Sequence, residues 1–179
     1  MSDIRDSFRQ QAAGVAAVMT GVDGWTAPSP CAGWTAADVV DHMVDTQRDF
    51  LGRHGVDVGP RPAGHPPVLW SAHVTAVLDH VDDDVAHRGF DGAFGPTTIG
   101  ATLADFYGFD MVVHRWDLAR ALGTDTTFTA GEMDRVEASI AIFGHHLYSE
   151  GICAPAVSVP VDASRQDRLL GVLGRDPAR

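Results

Sequence analysis

The fold is decided by a stretch near the middle of the chain, residues 103–119, which reads LADFYGFDMVVHRWDLA. Wound as a helix, this stretch is apolar around most of its circumference, and helices of that kind lie in the centre of a fold. Yet Asp110, His114 and Asp117 recur at i, i+4 and i+7 and share one stripe. A carboxylate in apolar surroundings is costly unless it is paired or binds a metal ion. The stretch therefore predicts a buried helix with a functional site on one side.

Outward from this stretch, the chain has the start and stop signals of further helices. Thr35 with Asp38, and Thr129 with Glu132, read as capping boxes, and Gly123 reads as a helix C-terminal glycine. The predicted helices cover residues 4–19, 36–51, 68–86, 99–122, 130–147 and 166–173. Residues 89–96 are predicted to be a loop and residues 155–160 an extended tail, with no strands. The pattern predicts an all-α fold, most simply a four-helix bundle with short accessory helices.

Composition narrows the class of protein. The 179 residues suit a single domain over 1–179, with residues 155–179 as an appendage packed on the bundle. The net charge is −11, and the 13 cationic residues are all arginine, which argues against nucleic acids and anionic membranes as partners. The absence of lysine excludes Schiff-base chemistry. Two cysteines, no membrane-length apolar run and no visible signal peptide lead us to expect a cytoplasmic protein.

A metal site is the first chemical hypothesis. Side chains at i and i+4 converge on one point of a helix surface, so Asp110 and His114 could chelate an ion. His42, at the edge of the apolar arc of the second predicted helix, is the best candidate for a third ligand. The alternative is that Asp110 and His114 form a buried ion pair, with His42 hydrogen-bonded to a carboxylate. The residues alone leave both interpretations open.

The sequence suggests functional roles for a few other side chains, on less evidence. His54, in the long connection after the second helix, and Arg115 are candidates for substrate binding. Cys31 precedes a helix start, where a thiol can be reactive, although a small-residue role in a tight turn is the favoured interpretation. Histidines recur every seven residues on the third predicted helix and read as a polar face; they are His73, His80 and His87.

Two segments together resemble a known family. Residues 25–42, WTAPSPCAGWTAADVVDH, and residues 110–123, DMVVHRWDLARALG, resemble the mycothiol-dependent maleylpyruvate isomerase metal-binding domains, which belong to the DinB-like superfamily of four-helix bundles. The tail, residues 159–177, is similar to the ending of an actinobacterial subgroup. The resemblance implies a divalent metal ion, typically zinc, with nickel or another divalent ion as alternatives, held by His42, Asp110 and His114. The family's isomerase has glutamate where this chain has Asp110.

The resemblance also implies a reaction. Three protein ligands leave open positions on the ion, as in catalytic zinc sites. We expect a thiol S-transferase or isomerase that uses a low-molecular-weight thiol, mycothiol by resemblance, on small electrophiles. Asp117 could orient His114 or a substrate proton, or it could instead cap a loop. The alternatives are a non-catalytic metal-binding or regulatory module and a metal-assisted hydrolase. By resemblance to the superfamily, we expect the protein to form a homodimer.

Overall fold

The computed structural model describes residues 2–149 and 151–178, and these are mostly helical, which confirms the predicted class. The helices are α1 Ser2–Val18, α2 Ala36–Arg53, α3 Pro66–His80, α4 Asp83–Ala86, α5 Ile99–Leu122, α6 Ala130–Phe143 and α7 Arg165–Val172, with a 3-10 helix at Gly144–Tyr148. Strands β1 Gly89–Gly92 and β2 Gly95–Thr98 form an antiparallel hairpin. The four-helix bundle stays a prediction.

The chain forms two compact units, Met1–Asp125 and Thr126–Arg179. The first contains α1 to α5 and the hairpin. The second contains α6, the 3-10 helix and α7, and Val157 of its extended segment donates a backbone hydrogen bond to Gly171 of α7. The single domain over 1–179, with 155–179 as its appendage, stays a prediction. None of the helices in the described part of the chain is long and apolar enough to cross a membrane.

The capping signals read from the sequence form as predicted. Thr35 and Asp38 exchange both hydrogen bonds of a capping box at the start of α2, and Thr129 and Glu132 do the same at α6. Gly123 ends α5 with a left-handed φ of 70°, and its N–H donates to the carbonyl of Ala119. Local chemistry therefore fixes where these helices begin and end.

Three predicted elements differ from the structure. The helix expected over 68–86 breaks near Val81, because the Asp82 side chain accepts the N–H of Val85 and starts α4. The loop expected at 89–96 is mostly the hairpin, whose strands of four residues each are too short and glycine-rich to show a period of two. The helix expected to reach residue 147 ends at Phe143 and continues as the 3-10 helix.

The central position of α5 is confirmed. It packs against α1 and α2, and along it Met111, Leu118 and Ala119 are fully buried. Gly100, near its start, permits close approach of its neighbours. A Cβ placed on Gly100 would lie 2.9 Å from Ala86 Cβ and 2.9 Å from Ile4 Cγ2, closer than carbon atoms pack.

A buried polar pair joins α2 and α3. His73 and Gln47 are both 0% exposed, so the polar face predicted for His73 is wrong, whereas His80 and His87 are exposed. The His73 Nε2 lies 2.9 Å from Gln47 Oε1, and because an amide oxygen only accepts, Nε2 donates. Burial, assisted by the charge of Arg48, lowers the pKa of His73 to about 4. The imidazole is therefore neutral in the folded protein near neutral pH.

Replacing Gly100 by alanine should destabilise the first unit by about 1–3 kcal/mol, because the methyl group overpacks the contact with Ala86 and Ile4. Gly52→Ala is the matched control, since a Cβ on this exposed α2 glycine meets nothing within 4 Å. The control should gain up to about 1 kcal/mol. Urea unfolding followed by tryptophan fluorescence reports on this unit, because all 4 tryptophans lie in it. Equal stability of the two variants would contradict the packing argument.

The metal-free protein should lose stability as the pH falls from 6.5 towards 4, because His73 binds a proton more readily when unfolded than when folded. At pH 4 this one group should account for about 3 kcal/mol of lost unfolding free energy. His73→Gln, which keeps a donor for Gln47 but cannot titrate, should have a correspondingly shallower pH dependence. His80→Gln, a change at an exposed histidine of the same helix, should keep the wild-type slope. A His73→Gln slope equal to that of the wild type would refute the assignment.

Candidate metal centre

Two neighbouring helices bring the three predicted ligands together. His42 extends from α2, and Asp110 and His114 lie one turn apart on α5. The Asp110 Oδ1 is 3.4 Å from His114 Nε2 and 3.8 Å from His42 Nε2. The two imidazole rings meet edge to face with their centroids 4.9 Å apart. One ligand atom from each residue therefore lies within 4.8 Å of the others.

The spacing of these atoms fits a shared ion. Atoms bound to one zinc ion at about 2.05 Å in a tetrahedron lie roughly 3.3 Å apart. The separations of 3.4 and 3.8 Å are close to this value and longer than the usual hydrogen bond of about 2.9 Å. In addition, the Asp110 Oδ2 is buried and has no hydrogen-bond partner among the described residues. Two imidazole nitrogens and a carboxylate with an unsatisfied oxygen make a donor set that suits a divalent ion.

The charges in the site are strongly coupled. Burial alone would raise the pKa of the Asp110 carboxyl, but the facing His114 imidazolium, with His42 nearby, holds it well below its ordinary value. Burial likewise opposes the charge on His114, yet Asp110 and the hydrogen bond to Asp117 raise the pKa of His114 well above its usual range. Without a metal ion the site is therefore an imidazolium–carboxylate pair, and an ion would have to replace the His114 proton.

Asp117 fixes the orientation of His114. Its Oδ2 lies 2.9 Å from His114 Nδ1, and its side chain is 0% exposed. Because a carboxylate accepts, Nδ1 is the donor, which leaves the Nε2 lone pair of the neutral ring directed towards Asp110 and His42. Carboxylate–histidine–metal arrangements have this form. The contact predicted between Asp117 and His114 is present; its role in metal binding stays a prediction.

The backbone of α2 is held where it carries His42. The Tyr107 hydroxyl of α5 donates to the Thr46 carbonyl at 3.0 Å, and the Thr46 hydroxyl donates to the His42 carbonyl at 2.8 Å. Burial, together with the nearby charge of Asp110, raises the pKa of Tyr107, so this hydroxyl remains a donor. These contacts connect α2 and α5 at the level of the site.

The loop before α2 adds two side chains that the sequence analysis did not place at the site. The Cys31 Sγ donates to Asp117 Oδ2 at 3.3 Å and lies 3.9 Å from His114 Nδ1. The Trp34 ring lies against both imidazoles, 4.8 Å from His42 and 6.1 Å from His114 between centroids. Hydrophobic periodicity does not predict where the side chains of a loop point. The one feature of the sequence that could have placed Cys31 and Trp34 at the site is that both lie just before the helix that carries His42.

The structure does not bring His54 and Arg115 to this cluster. His54 lies 12 residues after His42, about 18 Å further along α2, and its ring packs on Phe90 at 4.1 Å. The Arg115 side chain passes beside Gly14 of α1. Their roles in substrate binding stay predictions.

Comparison with known proteins adds a family relationship. A family model described as the mycothiol maleylpyruvate isomerase N-terminal domain matches residues 7–68, a region that includes Cys31, Trp34 and His42. Two proteins from two strains of Mycobacterium tuberculosis, both described as uncharacterized, are each 30% identical to this chain over 159 residues, which is 83% of this chain and 83% of theirs. No solved structure matches.

Replacing Asp117 by alanine should weaken zinc binding about 10–100-fold, the usual effect of losing a carboxylate that orients a histidine ligand. Asp105→Asn removes an equal charge from an exposed position on the same helix and should leave the affinity unchanged. Competition with a chromogenic chelator measures both affinities, and circular dichroism of the metal-free proteins checks that both fold. If the two variants bind zinc equally well, Asp117 does not orient His114 for a metal ion.

Proposed function

Because this chain belongs to the mycothiol maleylpyruvate isomerase N-terminal domain family, we propose that it is a metal-dependent thiol S-transferase or isomerase. Its cosubstrate would be a low-molecular-weight thiol, mycothiol by family, and its substrate a small electrophile. The proposed ion is zinc, with nickel or another divalent ion as alternatives. We place the reaction in the cytoplasm, where small thiols are kept reduced.

One observation carries the proposal: the convergence of His42, Asp110 and His114, with a buried Asp110 oxygen that lacks a partner among the described residues. An unpaired buried carboxylate oxygen is costly, and a bound cation would remove that cost. Three protein ligands also leave positions for a substrate, whereas structural zinc sites are closed by four. The arrangement therefore favours a reactive ion over a structural one.

Each residue around the ion would have a different role. A divalent ion supplies Lewis acidity, which lowers the pKa of a thiol and makes a nucleophile available near neutral pH. Asp117 keeps the His114 ring in the tautomer that can bind the ion. Trp34 covers the two imidazoles on one side. The His42 and Asp110 side chains are 25% and 20% exposed, which leaves a way in for small molecules.

The ligand set also suits an anionic partner. Two neutral imidazoles and one carboxylate balance a single charge of a divalent ion, so the directly bound ligands would leave one positive charge on the ion, which favours a thiolate as the next ligand. The Asp117 carboxylate lies on the Nδ1 side of His114, away from the three ligand atoms.

We further propose the bundle arrangement of the superfamily for the helices that carry these ligands, and a homodimer as the assembly. Size-exclusion chromatography with light scattering would measure the latter.

Wild-type protein should copurify with about one equivalent of divalent metal, and His42→Ala with little, because loss of one of three ligands weakens binding severely. His80→Ala, at an exposed histidine of α3, is the matched control and should keep the metal. Elemental analysis by mass spectrometry measures the content. Equal metal in both variants would exclude His42 as a ligand.

The reaction is tested with a panel of thiols and electrophiles. Saturable, metal-dependent conversion of an electrophile that requires a thiol, fastest with mycothiol and absent in His42→Ala, is the expected result; a transferase consumes the thiol, whereas an isomerase regenerates it. Metal binding without conversion of any electrophile or ester would indicate a binding module instead. Ester hydrolysis that does not need a thiol would indicate a hydrolase, and either outcome overturns the proposal.

A further inference from the structure

The His114 ring faces two different sets of ligand atoms. Its Nε2 points to Asp110 and His42, whereas its Nδ1 lies 2.9 Å from Asp117 Oδ2 and 3.9 Å from Cys31 Sγ. The Cys31 Sγ and Asp117 Oδ2 are themselves 3.3 Å apart. Thiol, imidazole and carboxylate therefore meet on the Nδ1 side, with their ligand atoms within 4.8 Å of one another.

We propose that Cys31, Asp117 and the Nδ1 of His114 form a second ion position, selective for a soft, thiophilic divalent cation such as Cd²⁺, and that it competes with the first position for His114. Thiolate ligands select soft ions, whereas the nitrogen and oxygen donors on the Nε2 side lack that preference. The three ligand atoms lie 2.9, 3.3 and 3.9 Å apart. Atoms bound to one ion at about 2.0–2.3 Å lie roughly 3.3–3.8 Å apart, so the two shorter separations, which are hydrogen bonds, would open by a few tenths of an ångström when an ion replaces the protons.

Charge balance favours an ion at this depth. A thiolate and the Asp117 carboxylate together neutralise a divalent cation, so the loaded site carries no net charge, as a buried position requires. Binding forms sulfur–metal and nitrogen–metal bonds, the Cys31 S–H and His114 Nδ1–H bonds break, and both protons leave to solvent with the water displaced from the ion. Cys31 is half-buried, so an ion can reach the sulfur, whereas Asp117 is fully buried.

The tautomer of His114 makes the two positions exclusive. A neutral imidazole carries one proton, so only one of its nitrogens has a lone pair available. An ion on Nε2 leaves the proton on Nδ1, where it is donated to Asp117; an ion on Nδ1 leaves the proton on Nε2 and removes a ligand from the first position. A soft ion would thus inactivate the centre on the Nε2 side without touching His42 or Asp110.

Cadmium titration of protein carrying Cys153→Ser, which leaves Cys31 as the remaining thiol, tests this inference. We expect one equivalent of Cd²⁺ to produce the ultraviolet thiolate-to-cadmium absorption band. The band should persist when His42→Ala is added and be lost when Cys31→Ser is added. In protein first loaded with Co²⁺, the band should grow in step with the loss of the visible cobalt spectrum.

A second measurement does not depend on the folding of the Cys31→Ser variant. Cd²⁺ should slow alkylation of Cys31 by iodoacetamide at least tenfold in the protein that carries Cys153→Ser and His42→Ala. Absence of the band, its survival in Cys31→Ser, unprotected alkylation, or simultaneous binding of Co²⁺ and Cd²⁺ would each overturn the proposal. Because the His42→Ala protein has lost the first position, failure here is distinguishable from failure of the proposed thiol chemistry.

Discussion

The hydrogen bond between Asp117 and His114 is the contact on which the rest of the site depends. Both side chains lie on α5, which packs against α1 and α2, and neither is exposed enough for water to satisfy it. The bond removes the cost of burying the Asp117 carboxylate and at the same time fixes which imidazole nitrogen faces Asp110. Stability of the helix core and preparation of the ligand set are therefore achieved by one interaction.

Neighbouring segments are arranged around this pair. The loop before α2 contributes Cys31 to Asp117 and Trp34 to the imidazoles, while α2 contributes His42 and is tied back to α5 through Thr46 and Tyr107. Ligand atoms therefore lie on both sides of the His114 ring, Asp110 and His42 near Nε2 and Asp117 and Cys31 near Nδ1. The chemistry of the centre follows from which nitrogen of His114 binds an ion, and Asp117, which accepts the Nδ1 proton, favours Nε2 for that role.

The features that the sequence predicts correctly are those set by contacts between near neighbours in the chain. The capping pairs Thr35–Asp38 and Thr129–Glu132 and the C-terminal Gly123 set helix ends through contacts within four residues, so they were predictable. The burial of α5 followed from its apolar circumference. The hairpin was missed because strands of four residues carry little pattern, and His73 was misread because only its partner Gln47, on another helix, makes burial of an imidazole acceptable.

What the sequence determined by itself is the α5 part of the site: helical geometry places Asp110 and His114 one turn apart, and Asp117 three residues beyond. The distance from that pair to His42, and the presence of Cys31 and Trp34 beside it, were decided by tertiary structure alone. Spacing along a helix is fixed by its pitch, whereas contacts across 68 residues, from His42 to Asp110, depend on how helices pack. The Asp110 oxygen that has no hydrogen-bond partner in the described part of the chain points most directly to an ion, and it too is visible only in three dimensions.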